Sequence, residues 1–280
     1  MTIVRVLPLK ENALSEIFGR KKPLVGTVHC LPFPGAPRYQ NESVDMIVEH
    51  ALAEAEKYAL GGMDGIIVEN GWDIPYLKLG EIGPETVSML TTIANAIRDA
   101  VDLPLGIVVN ANADVAAMAV AKATNASFIR ANQWANAYIA NAGFVQGTAA
   151  EVMRYRRNIG AESVKIFADA HVKHGAHAIV GDRAVEDLAT DIEFFDADVV
   201  IATGTRTGEA TPVEEILSVK RGTGLPVIVG SGLNAGNAGE LLSVADGAII
   251  ASGLKEDGKW WNPVSLDRVK ALVSVVNRIR

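Results

Sequence analysis

Chemically reactive side chains recur at the ends of short apolar runs along this 280-residue chain. The candidate catalytic residues are His29, Glu69, Lys165 and Asp169. Carboxylates beside a histidine or a lysine supply the general acid and the general base of proton-transfer reactions. A carboxylate near a sugar ring would serve glycosidic cleavage. A base near a carbonyl would serve isomerisation, epimerisation or aldol chemistry, and the sequence does not choose among these reactions.

The strongest local motif is the glycine-rich GSGLNAGN, residues 230–237, which follows an apolar run and leads into a predicted helix. A second apolar run ends in ASG, residues 251–253. Glycines let backbone N–H groups approach phosphate oxygens, and a helix N-terminus favours negative charge. The residues predicted to bind phosphate here are Gly230, Ser231, Gly232, Ser252 and Gly253. The alternative is that these glycines only form tight turns.

Two further segments are predicted to complete the ligand site. ENGWDIPY, residues 69–76, offers carboxylates, an amide and aromatic rings, a mixture that suits a polyol or a nucleoside. TGTRTG, residues 203–208, would bind phosphate or sugar or form a mobile lid, with a solvated loop as the alternative. The remaining candidate ligand-binding residues are Asn70, Asp73, Asn110, Arg130, Lys173, His174, Thr203 and Gly204.

Eight β-rich apolar runs alternate with amphipathic stretches, which is typical of parallel strands connected by helices. The predicted strands are residues 24–29, 65–69, 105–110, 127–130, 164–169, 198–203, 226–230 and 247–252. The predicted helices are residues 43–60, 84–100, 114–123, 148–159, 184–195, 212–221, 234–244 and 265–280. This alternation predicts an α/β protein with a single (β/α)8 TIM barrel over residues 23–280, capped below by residues 1–22. A doubly wound open sheet is the alternative.

The predicted barrel brings the candidate residues to one mouth, because active sites in this fold lie at the carboxyl ends of the strands. Phosphate is then expected between the loops after the seventh and eighth strands. Lys165 and Asp169 share one face of the fifth strand, so an inward Lys165 would lie deep in the barrel. Its expected partners are Glu69 and Asp169, and a structural ion pair is the alternative to a catalytic amine.

Three histidines follow the fifth strand within seven residues. We assign Lys173 and His174 to proton transfer or phosphate contact. No cofactor is predicted. The alternative is a divalent metal bound through His171 and His174, against which Gly175 and the loop context argue, since they disfavour a helical ligand pair.

Composition excludes several classes of protein. One cysteine, Cys30, cannot form a disulfide scaffold and suits a cytoplasmic location. No apolar stretch approaches the roughly 20 residues that span a bilayer, so no transmembrane segment is predicted. The net charge of −7 argues against a nucleic-acid partner. The partner expected instead is a small phosphorylated metabolite. A homo-oligomer would place Trp260 and Trp261 between subunits, although the same residues could cover the barrel's edge.

Several segments carry a resemblance to a known family. They are HCLPFPGAPRY (29–39), GGMDGIIVENGWDIPY (61–76), ASFIRANQW (126–134), RYRRNIGAESVKIFADAHVKH (154–174), TGTRTG (203–208) and VGSGLNAGNAGELLSVADGAIIASGLKEDG (229–258). With them the chain resembles the BtpA family, which includes the SgcQ-like proteins. The resemblance implies a ribulose-phosphate-binding-like barrel. It also implies one of two roles: a nucleosidase or other enzyme of sugar metabolism, or a factor in photosystem I biogenesis.

Two functions therefore stand side by side. The first is an enzyme that binds a phosphorylated sugar or nucleoside and performs nucleosidase, isomerase, epimerase or lyase chemistry. The second is a non-catalytic assembly or stability factor for a membrane protein complex, which would need an exposed apolar patch or an amphipathic segment. We favour the enzyme, because the predicted mouth is concave and polar.

Overall fold

Parallel strands of the computed structural model close into a barrel, which confirms the predicted (β/α)8 TIM barrel. The structure describes residues 8, 10–204, 206 and 208–280. The strands are β1 (Leu24–His29), β2 (Gly65–Glu69), β3 (Leu105–Val108), β4 (Phe128–Ala131), β5 (Ala137–Ala140), β6 (Gly143–Gln146), β7 (Lys165–Asp169), β8 (Val199–Ala202), β9 (Val227–Val229) and β10 (Ala248–Ile250). All except β5 and β6 belong to the barrel, in the order β1-β10-β9-β8-β7-β4-β3-β2.

Helices surround the barrel and cover the outer faces of its strands, except the first helix, which lies at the amino-terminal end. They are α1 (Ala13–Phe18), α2 (Val44–Gly61), α3 (Pro84–Ala100), α4 (Asp114–Thr124), α5 (Ala149–Asn158), α6 (Val185–Phe194), α7 (Val213–Gly222), α8 (Ala238–Val244) and α9 (Leu266–Val276). Local chemistry sets their starts: the Ser43 hydroxyl accepts a hydrogen bond from the N–H of Met46, and Pro84 begins α3. Predicted and observed helices therefore agree closely, and α9 ends at Val276 rather than at the predicted residue 280.

Two apolar layers hold the barrel together, one inside the strands and one between strands and helices. Branched and aromatic side chains fill the inside, where the rings of Phe128 and Phe167 stack with centroids 4.2 Å apart. Because both faces of each strand are buried, the strands are continuously apolar and not alternating. This packing leaves the carboxyl ends of the strands as the place where polar side chains gather.

The segment before β1 closes the amino-terminal end of the barrel, as the sequence predicts for the cap. Leu14, Ile17 and Phe18 of α1 pack against the inner apolar layer. Residues 1–7 and 9, which belong to the same predicted cap, lie outside the described residues. On this closed end Glu16 forms an ion pair of 2.6 Å with Lys165.

A hairpin that the sequence analysis missed follows β4. Strands β5 and β6 pair antiparallel, with Ala140 opposite Gly143 at the turn. Backbone hydrogen bonds between Ile139 and Ala176 join the hairpin to the loop after β7. The hairpin therefore forms one wall of the barrel mouth. Within the described chain, no helix has the length and apolar character needed to cross a membrane.

Candidate active site

A cavity of about 530 Å³ opens at the carboxyl ends of the barrel strands. Thr27 and Ile249 contribute its floor, next to the apolar filling of the barrel. The predicted site residues that line the cavity are His29, Glu69, Asn110, Arg130, Lys173, His174 and Gly230. A carboxylate, an imidazole, an amine and a guanidinium thus border one volume, so these residues could contact the same ligand.

Glu69, at the end of β2, is held by the neighbouring strand end. The Asn110 side-chain amide donates a hydrogen bond of 2.8 Å to Oε1 of Glu69. Asn70 supports Asn110 in turn, because its Oδ1 accepts the Asn110 backbone N–H at 2.8 Å. Asn70 is buried and supports the cavity wall, while Asn110 faces the cavity. The hydrogen bond to Oε1 therefore fixes the orientation of the Glu69 carboxylate.

Asp73, a predicted ligand-binding residue, stabilises a loop. Its Oδ1 accepts the backbone N–H of Phe33 at 2.9 Å, and its Oδ2 accepts a hydrogen bond of 3.2 Å from the side chain of Asn70. Burial raises the pKa of Asp73, although these two hydrogen bonds oppose the rise. The hydrogen bond from Phe33 joins the proline-rich loop after β1 to the loop after β2. Asp73 therefore stabilises the loops that surround the mouth.

Arg130 and Asp169 form a buried pair across β4 and β7. Nε and NH2 of Arg130 donate to Oδ2 and Oδ1 of Asp169, both at 2.9 Å. The Asp169 side chain is fully buried and the Arg130 side chain is 7% exposed. Such bidentate pairs fix the guanidinium plane. Arg130 lines the cavity, and Asp169 holds the Arg130 guanidinium in position. Asp169 therefore influences the cavity through Arg130.

Lys173 contributes a primary amine to the cavity wall. Burial lowers the pKa of this lysine to about 8, and the nearby positive charge of Arg130 lowers it further, whereas Glu69 and Asp169 oppose the shift. At pH 7 about a tenth of the amine is therefore neutral. In the described part of the chain, no hydrogen bond or ion pair engages this amine.

His29 is buried at the end of β1 beside Trp260. Its Nδ1 lies 3.3 Å from the carbonyl oxygen of Trp260. Because a carbonyl can only accept, Nδ1 carries the proton in this contact and Nε2 is the basic nitrogen. Burial lowers the pKa of His29 despite the opposing charge of Glu69. The imidazole is therefore neutral at neutral pH and available as a base.

Lys165 lies at the opposite end of the barrel from the cavity. Phe167 of the same strand belongs to the inner apolar layer, so the face that the period of two assigns to Lys165 is the inward one. The expected partners Glu69 and Asp169 are wrong, because the Lys165 amine pairs with Glu16 of α1 at 2.6 Å. The physical reason is that Lys165 begins β7, at the end that α1 covers. The Lys165 amine therefore belongs to the ion pair with Glu16 at the closed end of the barrel.

Most residues of the predicted phosphate loops pack against other backbone and do not border the cavity. Gly230 lines it. A Cβ on Gly232, whose φ is +74°, would lie 2.0 Å from the carbonyl oxygen of Glu209, and one on Gly253 would lie 2.4 Å from that of Leu233. Ser231 and Ser252 are buried. Gly232 and Gly253 therefore permit close contact between loops. This agrees with the alternative that the glycines have a structural role.

The loop after β8 is tied to the loop after β7. The hydroxyl of Thr203 donates a hydrogen bond of 2.8 Å to the carbonyl oxygen of His171. A Cβ on Gly204 would lie 3.0 Å from the carbonyl oxygen of Glu209, so this glycine also permits close packing. Two threonines of the TGTRTG segment, at positions 205 and 207, lie outside the described residues.

His171 and His174 have different surroundings. His171 Nδ1 is 3.2 Å from Oε1 of Glu215, whereas His174 lines the cavity. Among the described residues, no group of three or more histidine, cysteine, aspartate or glutamate side chains could hold a metal ion. Burial lowers the pKa of His174, and the positive charges of Lys173 and Arg206 lower it further. The three residues form a basic side of the mouth.

Aromatic residues also line the cavity, and the sequence analysis missed most of them. Trp260 lines the cavity, and its ring lies 4.7 Å from that of Trp72. Tyr76 and Tyr138 also line it, the latter from the unpredicted hairpin. The aromatic content of ENGWDIPY indicated Tyr76, whereas Trp260 follows the last barrel strand by ten residues and had no local signal. Trp261, which the sequence analysis grouped with Trp260, is 54% exposed.

The closed barrel of eight parallel strands, with its polar cavity at their carboxyl ends, defines a TIM-barrel protein. Comparison of the sequence with family models then gives the particular family. The BtpA family model matches residues 20–278. The chain belongs to the BtpA family.

Relatives agree with the family assignment, and a solved structure agrees with the fold. A protein from Pyrococcus furiosus is 40% identical over 259 residues, which is 92% of this chain and 96% of that protein. The photosystem I biogenesis protein BtpA of Synechocystis is 36% identical over 265 residues, 94% of this chain and 91% of that protein. A structure of orotidine 5′-monophosphate decarboxylase from Methanocaldococcus jannaschii, complexed with the inhibitor BMP, superposes with a TM-score of 0.56 at 16% identity. The superposition covers 92% of this chain and 100% of the decarboxylase chain.

Proposed function

We propose that this protein is an enzyme that binds a small phosphorylated sugar or nucleoside in the barrel mouth. One observation carries the proposal: Glu69, His29 and Lys173 border the same cavity as the fixed Arg130 guanidinium. Groups in a cavity whose pKa values are perturbed by burial and by nearby charges are typical of functional sites. Here burial favours the neutral form of both His29 and Lys173.

The size and lining of the cavity suit such a ligand. Its volume of about 530 Å³ lies within the range of small-molecule sites. Trp260 and Tyr138 offer apolar faces for a sugar ring or a base, and Asn110 and Asn132 offer amides for hydroxyl groups. Aromatic rings and polar side chains within one cavity are what a nucleoside or a sugar requires.

The basic side of the mouth supports an anionic group on the substrate. Lys173, His174 and Arg206 lie near one another, and Gly230 exposes backbone next to the guanidinium of Arg130. We therefore assign the phosphate to His174, Arg206 and the Gly230 backbone, between the loops after β7 and β8 and the start of the loop after β9, which leaves the Lys173 amine for the rest of the substrate. This assignment moves the phosphate away from the buried Ser252 and Gly253, which the sequence favoured.

Proton transfer is the chemistry that this chain's residues support. Glu69 accepts one hydrogen bond from Asn110, so its other oxygen remains for a substrate proton. The neutral His29 is a second base, and the charged fraction of Lys173 is an acid. Such a set would serve glycosidic cleavage, isomerisation or lyase reactions at a ring or carbonyl that lies against Glu69.

A second function is favoured by a specific observation, the exposed apolar side chains beside the mouth. Ile139 is 46% exposed, Phe144 is 48% exposed and Ile179 is 55% exposed. A partner that docks on this surface would suit an assembly factor, the role in the name of the Synechocystis relative. We rank this function second, because it gives no account of the titratable residues within the cavity.

A thermal-shift titration tests the proposed enzyme. The panel holds phosphate, ribose 5-phosphate, other pentose and hexose phosphates, nucleotides and the matching unphosphorylated compounds. A ligand at about 100 times its dissociation constant should stabilise the fold by about 2.7 kcal/mol. We expect phosphorylated compounds alone to raise Tm, and the rise to be lost in Lys173→Met but kept in Lys270→Met, an exposed lysine of α9. Absence of any rise in the folded wild type would contradict the proposal.

A further inference from the structure

We propose that Lys173 is a nucleophile that forms an imine with the carbonyl carbon of an open-chain sugar or another small aldehyde or ketone. The inference rests on the proposed function and narrows it, because it assigns the site to carbonyl chemistry. Lys173 lines the cavity together with Glu69 and Arg130, so a bound carbonyl carbon would lie among a nucleophile, a carboxylate and a cation.

The first support is the difference between Lys173 and the structural lysines of this protein. Lys165 pairs with Glu16 at 2.6 Å, and the buried Lys255 contacts both oxygens of Glu54 at 2.6 and 2.5 Å. No such contact engages the Lys173 amine in the part of the chain that the structure describes. An amine that stabilises the fold through a carboxylate would show that partner, whereas a nucleophile needs its lone pair free.

The second support is the rigidity of the loop that carries Lys173. The backbones of Ala176 and Ile139 exchange hydrogen bonds of 2.8 and 3.1 Å, which join the loop to the hairpin. On its other side the Thr203 hydroxyl donates to the carbonyl of His171 at 2.8 Å. The amine is thus presented from a segment fixed on both sides, which lowers the entropic cost of reaching a productive geometry.

The third support is electrostatic. Burial lowers the pKa of Lys173 to about 8, and the neighbouring cation Arg130 adds to this effect. A desolvated lysine beside a second cation is a known arrangement for activating an amine toward carbonyl carbon. Arg130 cannot lose its charge, and its two hydrogen bonds to Asp169 keep it in position.

The covalent step balances without a further reactant. The Nζ lone pair attacks the carbonyl carbon, the carbonyl π electrons move to oxygen, and a proton moves from nitrogen to that oxygen. The carbinolamine then loses its hydroxyl group as water, leaving a protonated imine. Glu69 would take the proton that the charged Lys173 amine releases before it attacks, give it to the departing hydroxyl group, and then act as base at the carbon next to the imine. Water later hydrolyses the imine and restores the amine.

The test uses pentane-2,4-dione, a small diketone that forms a stable enaminone with neutral lysine amines. Labelling of the full chain is followed by peptide mass spectrometry, with exposed Lys270 as the internal control. We expect Lys173 to react at least about tenfold faster than Lys270 at pH 7, because burial raises the neutral fraction of the Lys173 amine above that of an ordinary lysine. The rate should reach half its maximum near pH 8. Equal rates at the two lysines, or a rate that rises unchanged to pH 10, would overturn the inference.

A second measurement separates this inference from the proposed function. Ribose 5-phosphate is added with cyanoborohydride, which reduces an imine to a stable secondary amine, and the same compound is tested by thermal shift. A rise in Tm with neither a Lys173 adduct nor faster labelling overturns the imine and leaves the proposed function standing. Selective labelling of Lys173 with no ligand that raises Tm supports the nucleophile and contradicts the phosphorylated substrate. A Lys173→Arg variant, which keeps the charge, must lose the adduct.

Discussion

Arg130 and Asp169 form a bidentate pair, with two hydrogen bonds of 2.9 Å between them and both side chains buried. The pair comes from neighbouring strands, since Arg130 lies opposite Phe167 in the β4–β7 register. Arg130 lines the cavity, and Asp169 is not among the lining residues. The chemistry of the mouth therefore depends on an aspartate that a ligand need not touch.

Asp169→Asn should cost about 3–5 kcal/mol of unfolding free energy, because it leaves the Arg130 charge buried without its counterion. Urea unfolding measures the loss. Asp99→Asn is the matched control, since Asp99 pairs with Arg98 at 2.8 Å on the surface and exposed pairs contribute about 0–1 kcal/mol. Equal losses in the two variants would show that the buried pair has no special role.

Asp114 should make the protein less stable as the pH rises. Burial raises the pKa of this carboxyl from 3.8 to about 7, although the hydrogen bond from Thr148 opposes the rise. The folded state therefore retains a proton that the unfolded state has lost. This contribution is complete below about pH 4 and is lost between pH 4 and 7. Each pKa unit corresponds to about 1.4 kcal/mol, so the loss amounts to a few kcal/mol.

Asp114→Asn tests this, since its side-chain carbonyl still accepts from Thr148 while the titration is removed. Urea unfolding at pH 5 and pH 8 should show a smaller decrease in stability with pH than in the wild type. His29 gives the opposite sign, because its pKa is lowered and stability falls as the pH drops below 6.5. An Asp114→Asn variant with the wild-type pH dependence would refute the assignment.

Gly232→Ala should destabilise the fold by about 1–3 kcal/mol, because its φ of +74° strains an alanine and its Cβ would meet the Glu209 carbonyl. Gly239→Ala is the control: it lies in α8 and a Cβ there meets nothing within 4 Å. Alanine should stabilise that helix by up to about 1 kcal/mol. Thermal unfolding of both variants checks the pair, and a tolerated Gly232→Ala would argue against close packing of these loops.

The ion pair of Lys255 and Glu54 should hold the loop that carries Trp260. The Glu54 carboxylate also accepts the backbone N–H of Val264 at 3.2 Å, so it fastens both ends of this loop. Lys255→Met should cost about 3–5 kcal/mol and increase hydrogen exchange in residues 255–264. The double variant Glu54→Leu/Lys255→Met removes the unpaired charge and should recover most of the stability. Failure to recover would point to packing and not to charge.

The sequence predicts the barrel well because buried parallel strands leave a strong apolar signal and because strand ends carry the polar residues. Glu69 and Arg130 were found in this way, and both line the cavity. Lys165 shows the limit of such reasoning: the period of two gives the correct face, but its partner Glu16 lies 149 positions earlier in the chain. Contacts of that kind depend on how the chain closes upon itself.

The glycine-rich motif shows a second limit. Gly232 and Gly253 lie in segments whose composition is typical of phosphate-binding loops. The carbonyl oxygens of Glu209 and Leu233, however, occupy the space beside these glycines. A glycine that lets backbone approach a phosphate and one that lets backbone approach backbone are identical in sequence. Tyr138 was missed for a related reason, since its short hairpin, AYIANAGFVQ, has too few alternating apolar residues to signal strands.

The central claim, that Lys173 is a reactive amine within a ligand site, is tested most directly by a pH titration of lysine side chains by NMR. The protein carries ¹³C-labelled lysine, and Lys173→Arg assigns the signal. We predict a pKa of about 8 for Lys173 and a shift of its signal when a phosphorylated sugar is added. A Lys173 signal that titrates near 10.4, the ordinary lysine value, and that no compound of the panel perturbs would contradict the account.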